Sequence, residues 1–358
     1  MKIDAALTSV NLSAVPIVAQ AAEAIGFDAV WTSETQHEAF LPLPLVAEHT
    51  QHIQFGTAIA VAFARSPTIL AHTAWDLAAQ SGGRFILGLG TQIKAHVERR
   101  FGMKWESPAP KLREMILALR AIWDCWQNGT PLNFRGEFYK LTLMTPFFSP
   151  GPIQTPHVPI FIAGVNTGLC RLAGELADGF HVHPFHTAKY LRESVLPAIE
   201  AGAAMTGRKR RDVQLAAPVF AVTDDAEREM VRAQVSFYAS TPSYRAVLEH
   251  HGWGEVGERL SRLASRGQWG EMPREISDEM LAEFAIEGTS SELPARLHAK
   301  YAGLLDRVTL YAPFVPGEND ERWRAPAAGI HRVTDTNVPA ATCVPLPFGS
   351  TISLRSTT

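Results

Sequence analysis

The side chains able to do chemistry fall in short clusters, each at the end of an apolar run. The densest is Ser33-Glu34-Thr35-Gln36-His37. Thr91 and Gln92 follow another run, with Lys94 and His96 a turn later. Gly164-Val165-Asn166-Thr167-Gly168 joins an apolar run to a helical pattern, and His181, His183 and His186 follow the next. Histidine titrates near neutral pH and suits proton transfer. A carboxylate such as Glu34 can orient a histidine or hold a ligand. The N–H groups opening a helix after Gly164–Gly168 are unpaired and carry the positive end of its dipole, so an anion fits there. His181 and His183 lie two apart, on one face of a strand, which raises a metal hydrolase as one reading. Carboxylates at neighbouring strand ends, needed to complete a ligand set, are scarce, and no metal site is expected.

The elements that position these clusters alternate along the chain. Strands are expected at Ile3–Leu7, Phe27–Thr32, Ile53–Ala60, Arg84–Gly90, Pro159–Ala163, a run ending at the histidines, Val213–Val222 and Arg307–Ala312. Nearly all are followed by amphipathic helical patterns, such as Val15–Ile25 and Lys111–Gln127. Eight such units imply a parallel sheet closed into an α/β (β/α)8 TIM barrel, with insertions after strands 4 and 7. An open doubly wound sheet would need a glycine-bearing phosphate turn after the first strand, and Thr8-Ser9-Val10-Asn11 has none. The barrel is expected to fill residues 1–316, with a helical insertion at about 243–283. Residues 317–358, rich in Thr, Pro, Ala and Ser towards their end, read as an irregular C-terminal tail. In such a barrel the functional groups gather at the C-terminal ends of the strands, which is where every cluster above falls.

Composition removes several classes. The 358 residues are 46% apolar, enough for a large core, and the net charge of −3 carries no footprint for nucleic acid or an anionic membrane. No apolar run approaches the ~20 residues a membrane helix requires. The three cysteines have no metal-binding spacing and form no disulfide framework, so a reducing cytoplasm is the expected setting.

Several strings resemble the luciferase-like superfamily of flavin and deazaflavin enzymes over roughly Met1 to Pro316. They are Gly26-Phe27-Asp28-Ala29-Val30-Trp31 with Ser33-Glu34, Gly56-Thr57 through Arg65-Ser66-Pro67, and Gly83-Arg84-Phe85-Ile86-Leu87-Gly88-Leu89-Gly90-Thr91. Ile162-Ala163-Gly164, Ala173-Gly174-Glu175-Leu176-Ala177-Asp178-Gly179 and Glu287-Gly288-Thr289 complete the order. Ser33–Pro42, Thr91–Lys94 and Gly179–His186 are most similar to the branch that uses coenzyme F420, an 8-hydroxy-5-deazaflavin.

That resemblance implies a two-electron oxidoreductase in which hydride passes between C5 of the deazaflavin and a small organic substrate. It places the ring against Ala58-Ile59-Ala60, where members often carry a non-prolyl cis peptide. The tail phosphate would lie on the backbone of Ala163, Gly164, Val165, Asn166, Thr167 and Gly168, with Thr91 and Gln92 beside it. A homodimer is also implied. The chain departs from the branch's sugar-phosphate dehydrogenases, with Thr35 where they place a histidine and Ile93 where they place a glutamate, so their acid/base assignment does not transfer. From chemistry, Glu34, His37, His96 and His181 are the catalytic candidates, with His183 next. The rival on the same fold is a monooxygenase using reduced FMN and oxygen, and a metal-dependent barrel hydrolase is the second alternative.

Overall fold

The computed structural model describes residues 1–7, 11–318 and 320–336. Its centre is a closed barrel of eight parallel strands. These are β1 (Lys2–Ala6), β2 (Ala29–Thr32), β3 (Gln54–Thr57), β4 (Phe85–Gly90), β5 (Ile160–Gly164), β6 (Gly179–Val182), β7 (Gln214–Val222) and β8 (Arg307–Leu310). Each pairs with the next, and β8 returns to β1 through Ile3↔Val308. A two-residue continuation of β3, Ala60–Val61, pairs with the end of β4. The sequence-based barrel is therefore the observed fold; residues 8–10, at the turn that argued against an open sheet, lie outside the described residues.

The strands are largely apolar on both faces, as a parallel sheet covered by helices requires. Outward residues such as Phe55, Phe85, Ile160, Phe180 and Val308 pack under the helices in one large core. The inward residues alternate with them along each strand. At the bottom, Asp4 accepts two hydrogen bonds from Arg307, both 2.8 Å, and one from Trp31 Nε1–H at 2.8 Å. Both members of that ion pair are fully buried. Above it lies a layer of Trp31, Ile86, Phe161 and Ala216. Glycines make this layer fit: a Cβ on Gly88 would stand 1.7 Å from the Thr57 carbonyl oxygen.

The helices that bear on the site are α1 (Val15–Ile25), α2 (Leu43–His49), α3 (Pro67–Ser81), α4 (Lys94–Arg99), α5 (Pro108–Asn128), α6 (Thr167–Leu176), α7 (Leu196–Met205), α8 (Asp225–Ala239) and α9 (Leu293–Tyr301). The excursion after β4 carries the expected hairpin, Phe134–Arg135 against Lys140–Leu141. Glu114 on α5 holds its turn by accepting from the Glu137 and Phe138 N–H groups, both at 2.9 Å. Residues 243–283 are helical, as expected, in short pieces Arg245–Glu249, Gly254–Ser265 and Asp278–Phe284.

Two features depart from the sequence reading. Ala285–Glu287 forms a short strand along the upper end of β7; three residues behind a helix are too few to show a period. The second is α10 (Asp320–Thr336), a helix where an irregular tail from residue 317 was expected. The Thr, Pro, Ala and Ser content from Pro326 onward suggested irregular chain. Trp323, Ala327 and Ile330, at helical spacing, are instead buried, and Trp323 packs edge-on against Phe27 and Phe314 at 5.9 Å each. That burial offsets the hydrogen bond the proline removes. The remainder of the expected tail, residues 337–358, lies outside the described residues.

Candidate active site

The registers bring the sequence-predicted clusters into one arc at the C-terminal mouth of the barrel. Thr32 stands beside Thr57, Val61 beside Gly90, Gly90 beside Ala163, and Ala163 beside His181. Ala58-Ile59-Ala60, Thr91 and Ala163-Gly164 are therefore neighbours across adjacent strands. The Ala58–Ile59 peptide is cis.

Glu34 braces this segment. Its backbone N–H donates to the Ile59 carbonyl at 3.2 Å, and its carboxylate accepts from the Val61 N–H at 2.6 Å. Both carboxylate oxygens also receive the Arg65 guanidinium, at 2.7 and 2.8 Å. Arg65 reaches on to Glu38 at 2.6 Å and stacks over the Phe40 ring. Glu34 is buried, and its oxygens are committed to the backbone of the wall and to Arg65. Nothing in the composition marked Arg65 or Glu38 as members of this group; Arg65 stood out only within the string it shares with Ser66 and Pro67.

The wall beside β4 is built from small and apolar residues, with the Ile59 side chain seated against Gly90. Gly90 has no side chain, and a Cβ there would meet Ile59 Cδ1 at 2.6 Å. Ala163 offers one methyl group. Thr91 is buried, while Gln92 turns the chain away with φ of 54° and accepts the Ile93 N–H through its own side chain.

At the end of β5, Asn166 caps α6 by accepting the Leu169 N–H at 3.2 Å. Tyr190 O–H donates to the Val165 carbonyl at 3.3 Å and fixes the loop from behind. Asn166, Thr167 and Gly168 are exposed, so the first N–H groups of α6 belong to an open turn. A Cβ on Gly168 would meet only Asn166 Oδ1, at 3.5 Å. This open, donor-rich turn next to an apolar wall fits a flat ring with an anionic tail.

The four catalytic candidates do not converge on one point. His37 is exposed and lines a shallow cleft with Leu7, Thr32, Ser33, Thr35, Glu38 and Pro42. His96 is exposed on α4, a helix that Arg100 ties to the Thr35 carbonyl. His181 lies below the mouth, its ring edge-on to Trp31 at 4.9 Å and tilted against Phe161 at 5.3 Å. Burial, with Arg307 nearby, pushes its pKa down to about 3. Its Nε2 is buried over the space Gly88 leaves free, beside the Thr57 backbone. His181 is thus a neutral ring in the floor of the site.

His183 follows directly on the last residue of β6, Val182. It contacts the rings of Tyr244 at 4.3 Å and Tyr238 at 4.8 Å. His186 is turned away, buried beside Tyr301, with Nδ1 at 2.9 Å from the His183 carbonyl. Burial holds both histidines neutral, near pKa 3 and 4 respectively. Tyr238 and Tyr311 join hydroxyls at 2.6 Å. Sequence reasoning placed Tyr311 at the last strand's end without assigning it a part, and Tyr238 only as a helix terminus. The donor set a metal hydrolase requires is not assembled: among the described residues no three His, Cys, Asp or Glu side chains are grouped to hold a metal. Among the described residues no helix is long and apolar enough to cross a membrane.

Comparison with known proteins agrees with this architecture. The family model described as luciferase-like monooxygenase matches residues 3–307. An uncharacterised protein of Mycobacterium tuberculosis is 46% identical over 314 residues, covering 86% of this chain and 92% of that one. The 5,10-methylenetetrahydromethanopterin reductase of Archaeoglobus fulgidus is 29% identical over 306 residues, covering 82% of this chain and 88% of that one. Among solved structures, the coenzyme F420-dependent tetrahydromethanopterin reductase of Methanopyrus kandleri superposes with a TM-score of 0.77 at 22% identity, covering 93% of this chain and 99% of that one.

Proposed function

Since the chain belongs to the luciferase-like monooxygenase family, we propose that it is an oxidoreductase using coenzyme F420 to exchange a hydride with a small organic substrate. The observation that carries this reading is the two-part seat at the mouth. A wall of small and apolar residues, Gly90, Ala163 and the Ala58–Val61 segment, adjoins the open first turn of α6. The wall suits a planar ring, and the turn suits its phosphate. Relatives named for F420-dependent chemistry support the choice of deazaflavin over FMN.

The deazaflavin supplies the hydride when bound; the chain's residues orient and exclude water. Ala58, Ile59 and Ala60 would back the ring, with Glu34 and Arg65 holding that segment in place. Thr91, Val165, Asn166, Thr167 and Gly168 would receive the phosphate. Gln92, carrying its own turn, borders the same end.

The test adds each cofactor to the apo-protein and follows tryptophan fluorescence. Saturable quenching by F420 at micromolar concentration, with none by FMN, is the expected result. Tight FMN binding with no response to F420 would replace this reading with the flavin monooxygenase.

A further inference from the structure

Opposite the apolar wall, the mouth has a different chemistry. Along β6, Gly179 and His181 alternate onto the inner face, and along β8, Arg307 and Thr309 do the same. His183 and Tyr311 follow directly on the last residues of those strands, Val182 and Leu310. Tyr238, from the last turn of α8, meets both: its ring lies edge-on to His183 at 4.8 Å, and its hydroxyl is 2.6 Å from that of Tyr311. All three are only partly buried.

The hydrogen bonds fix which protons these groups can offer. The Phe185 N–H donates to His183 Nδ1 at 3.1 Å, which makes Nδ1 the acceptor and leaves the ring proton on Nε2. The Gln234 side chain hydrogen-bonds the Tyr238 hydroxyl, which also meets Tyr311. Either hydroxyl of the Tyr238–Tyr311 pair can donate to the other; when Tyr238 donates, the Tyr311 proton is left for a further acceptor. Arg245, next to Tyr244 in sequence, is engaged by Glu258 and Ser261. Burial lowers the His183 pKa and raises that of Tyr238, so neither carries charge near neutrality.

We propose that His183 Nε2–H and Tyr311 O–H form a neutral hydrogen-bonding subsite that receives the carbonyl oxygen of the substrate, making uncharged ketones or aldehydes the substrate class. Tyr238 is the positioning residue that orients Tyr311. The ring of Tyr244, 4.3 Å from His183, supplies an apolar wall for the group flanking the carbonyl. His183, Tyr238, Tyr244 and Tyr311 offer no opposite charge to a carboxylate or an ammonium, each of which would give up its hydration to enter. The inference rests on the hydride-transfer reading for its chemistry, and on the mouth's geometry alone for its selectivity.

Calorimetric titration of the whole protein with acetophenone, benzoate and benzylamine tests it, with F420 quenching of tryptophan measured on the same samples. Acetophenone is expected to bind at least tenfold tighter than either charged analogue. Tyr311→Phe and His183→Phe should each weaken acetophenone about tenfold and leave F420 affinity within twofold of wild type. Tyr238→Phe should shrink the acetophenone-to-benzoate affinity ratio about threefold. Benzoate or benzylamine binding as tightly as the ketone, no ketone binding by the wild type, or ketone binding indifferent to both substitutions would overturn the subsite. Loss of F420 quenching in the wild type, with ketone selectivity intact, would instead overturn the cofactor reading alone.

Discussion

Glu34 shows how a single residue can look catalytic and act as a brace. Its carboxylate accepts from the Val61 N–H and from Arg65, so replacement affects the wall before it affects any proton. Glu34→Gln is expected to weaken F420 binding tenfold or more, because the amide cannot accept the guanidinium fork. Arg65→Met should do the same and lower stability by about 3 kcal/mol, the cost of leaving a buried carboxylate unpaired. Quenching titrations and urea unfolding separate the two effects. The buried histidines set a pH limit. His181, His183 and His186 have folded pKa values lowered to about 3, 3 and 4, whereas an unfolded histidine titrates near ~6.5. Below that value the unfolded chain binds protons that the native chain refuses. Stability is therefore complete above about pH 6.5 and declines as pH falls, approaching about 4 kcal/mol per pH unit with all three contributing. Guanidinium unfolding between pH 7 and 5 checks the slope, and His186→Gln should remove about a third of it.

At the scale of elements, the position of α6 matters most, because its first turn is the proposed phosphate seat. It crosses α7 at very short range: a Cβ on Gly202 would lie 1.9 Å from the Arg171 carbonyl oxygen, and one on Gly174 would lie 2.0 Å from that of Ile199. Gly202→Ala must push the helices apart. It is expected to cost about 1–3 kcal/mol and to weaken F420 binding at least fivefold, although residue 202 lies behind the barrel. Thermal melts and quenching titrations measure both. Gly168→Asp is the complementary case: stability should stay within about 0.5 kcal/mol, since acid is favourable in a first turn, while the added charge weakens phosphate binding tenfold or more.

These elements were largely legible beforehand, because parallel strands and amphipathic helices write their periods over many residues. The strand expected at Pro159–Ala163 was placed from its apolar length and its bounds, Pro156 and Gly164, and the observed one is Ile160–Gly164. The Ala285–Glu287 strand and the α10 helix were not, the first for want of length and the second because the tail's composition masked the helical spacing of Trp323, Ala327 and Ile330. The site was half legible. Residue types pointed to the mouth, but which polar atoms are already spent, as with Glu34, or sealed in, as with His181, depends on partners distant in sequence. Arg65 lies 31 residues from Glu34, and Tyr311 lies 73 from Tyr238.

For the whole molecule, α10 is part of the folded unit. It packs on α1, β1 and α9, and Arg322 pairs with Glu227 on α8. Truncation after Pro316 would uncover Phe27 and Phe314, so the shortened protein is expected to melt well below the full chain and to aggregate on heating. Trp323→Ala should cost about 3–5 kcal/mol, and unfolding of each variant against wild type settles both. The deepest contact in the barrel also has a temporal meaning. Asp4 and Arg307 are 303 residues apart, so a ribosome synthesises almost the entire barrel before the first strand's carboxylate can meet its partner. Until then β1 and β7 are open edges, and Asp4 is an acid in an unfinished interior. Newly made chains must wait in that state, and holdase chaperones that cover strand edges would find their substrate there rather than in the finished barrel.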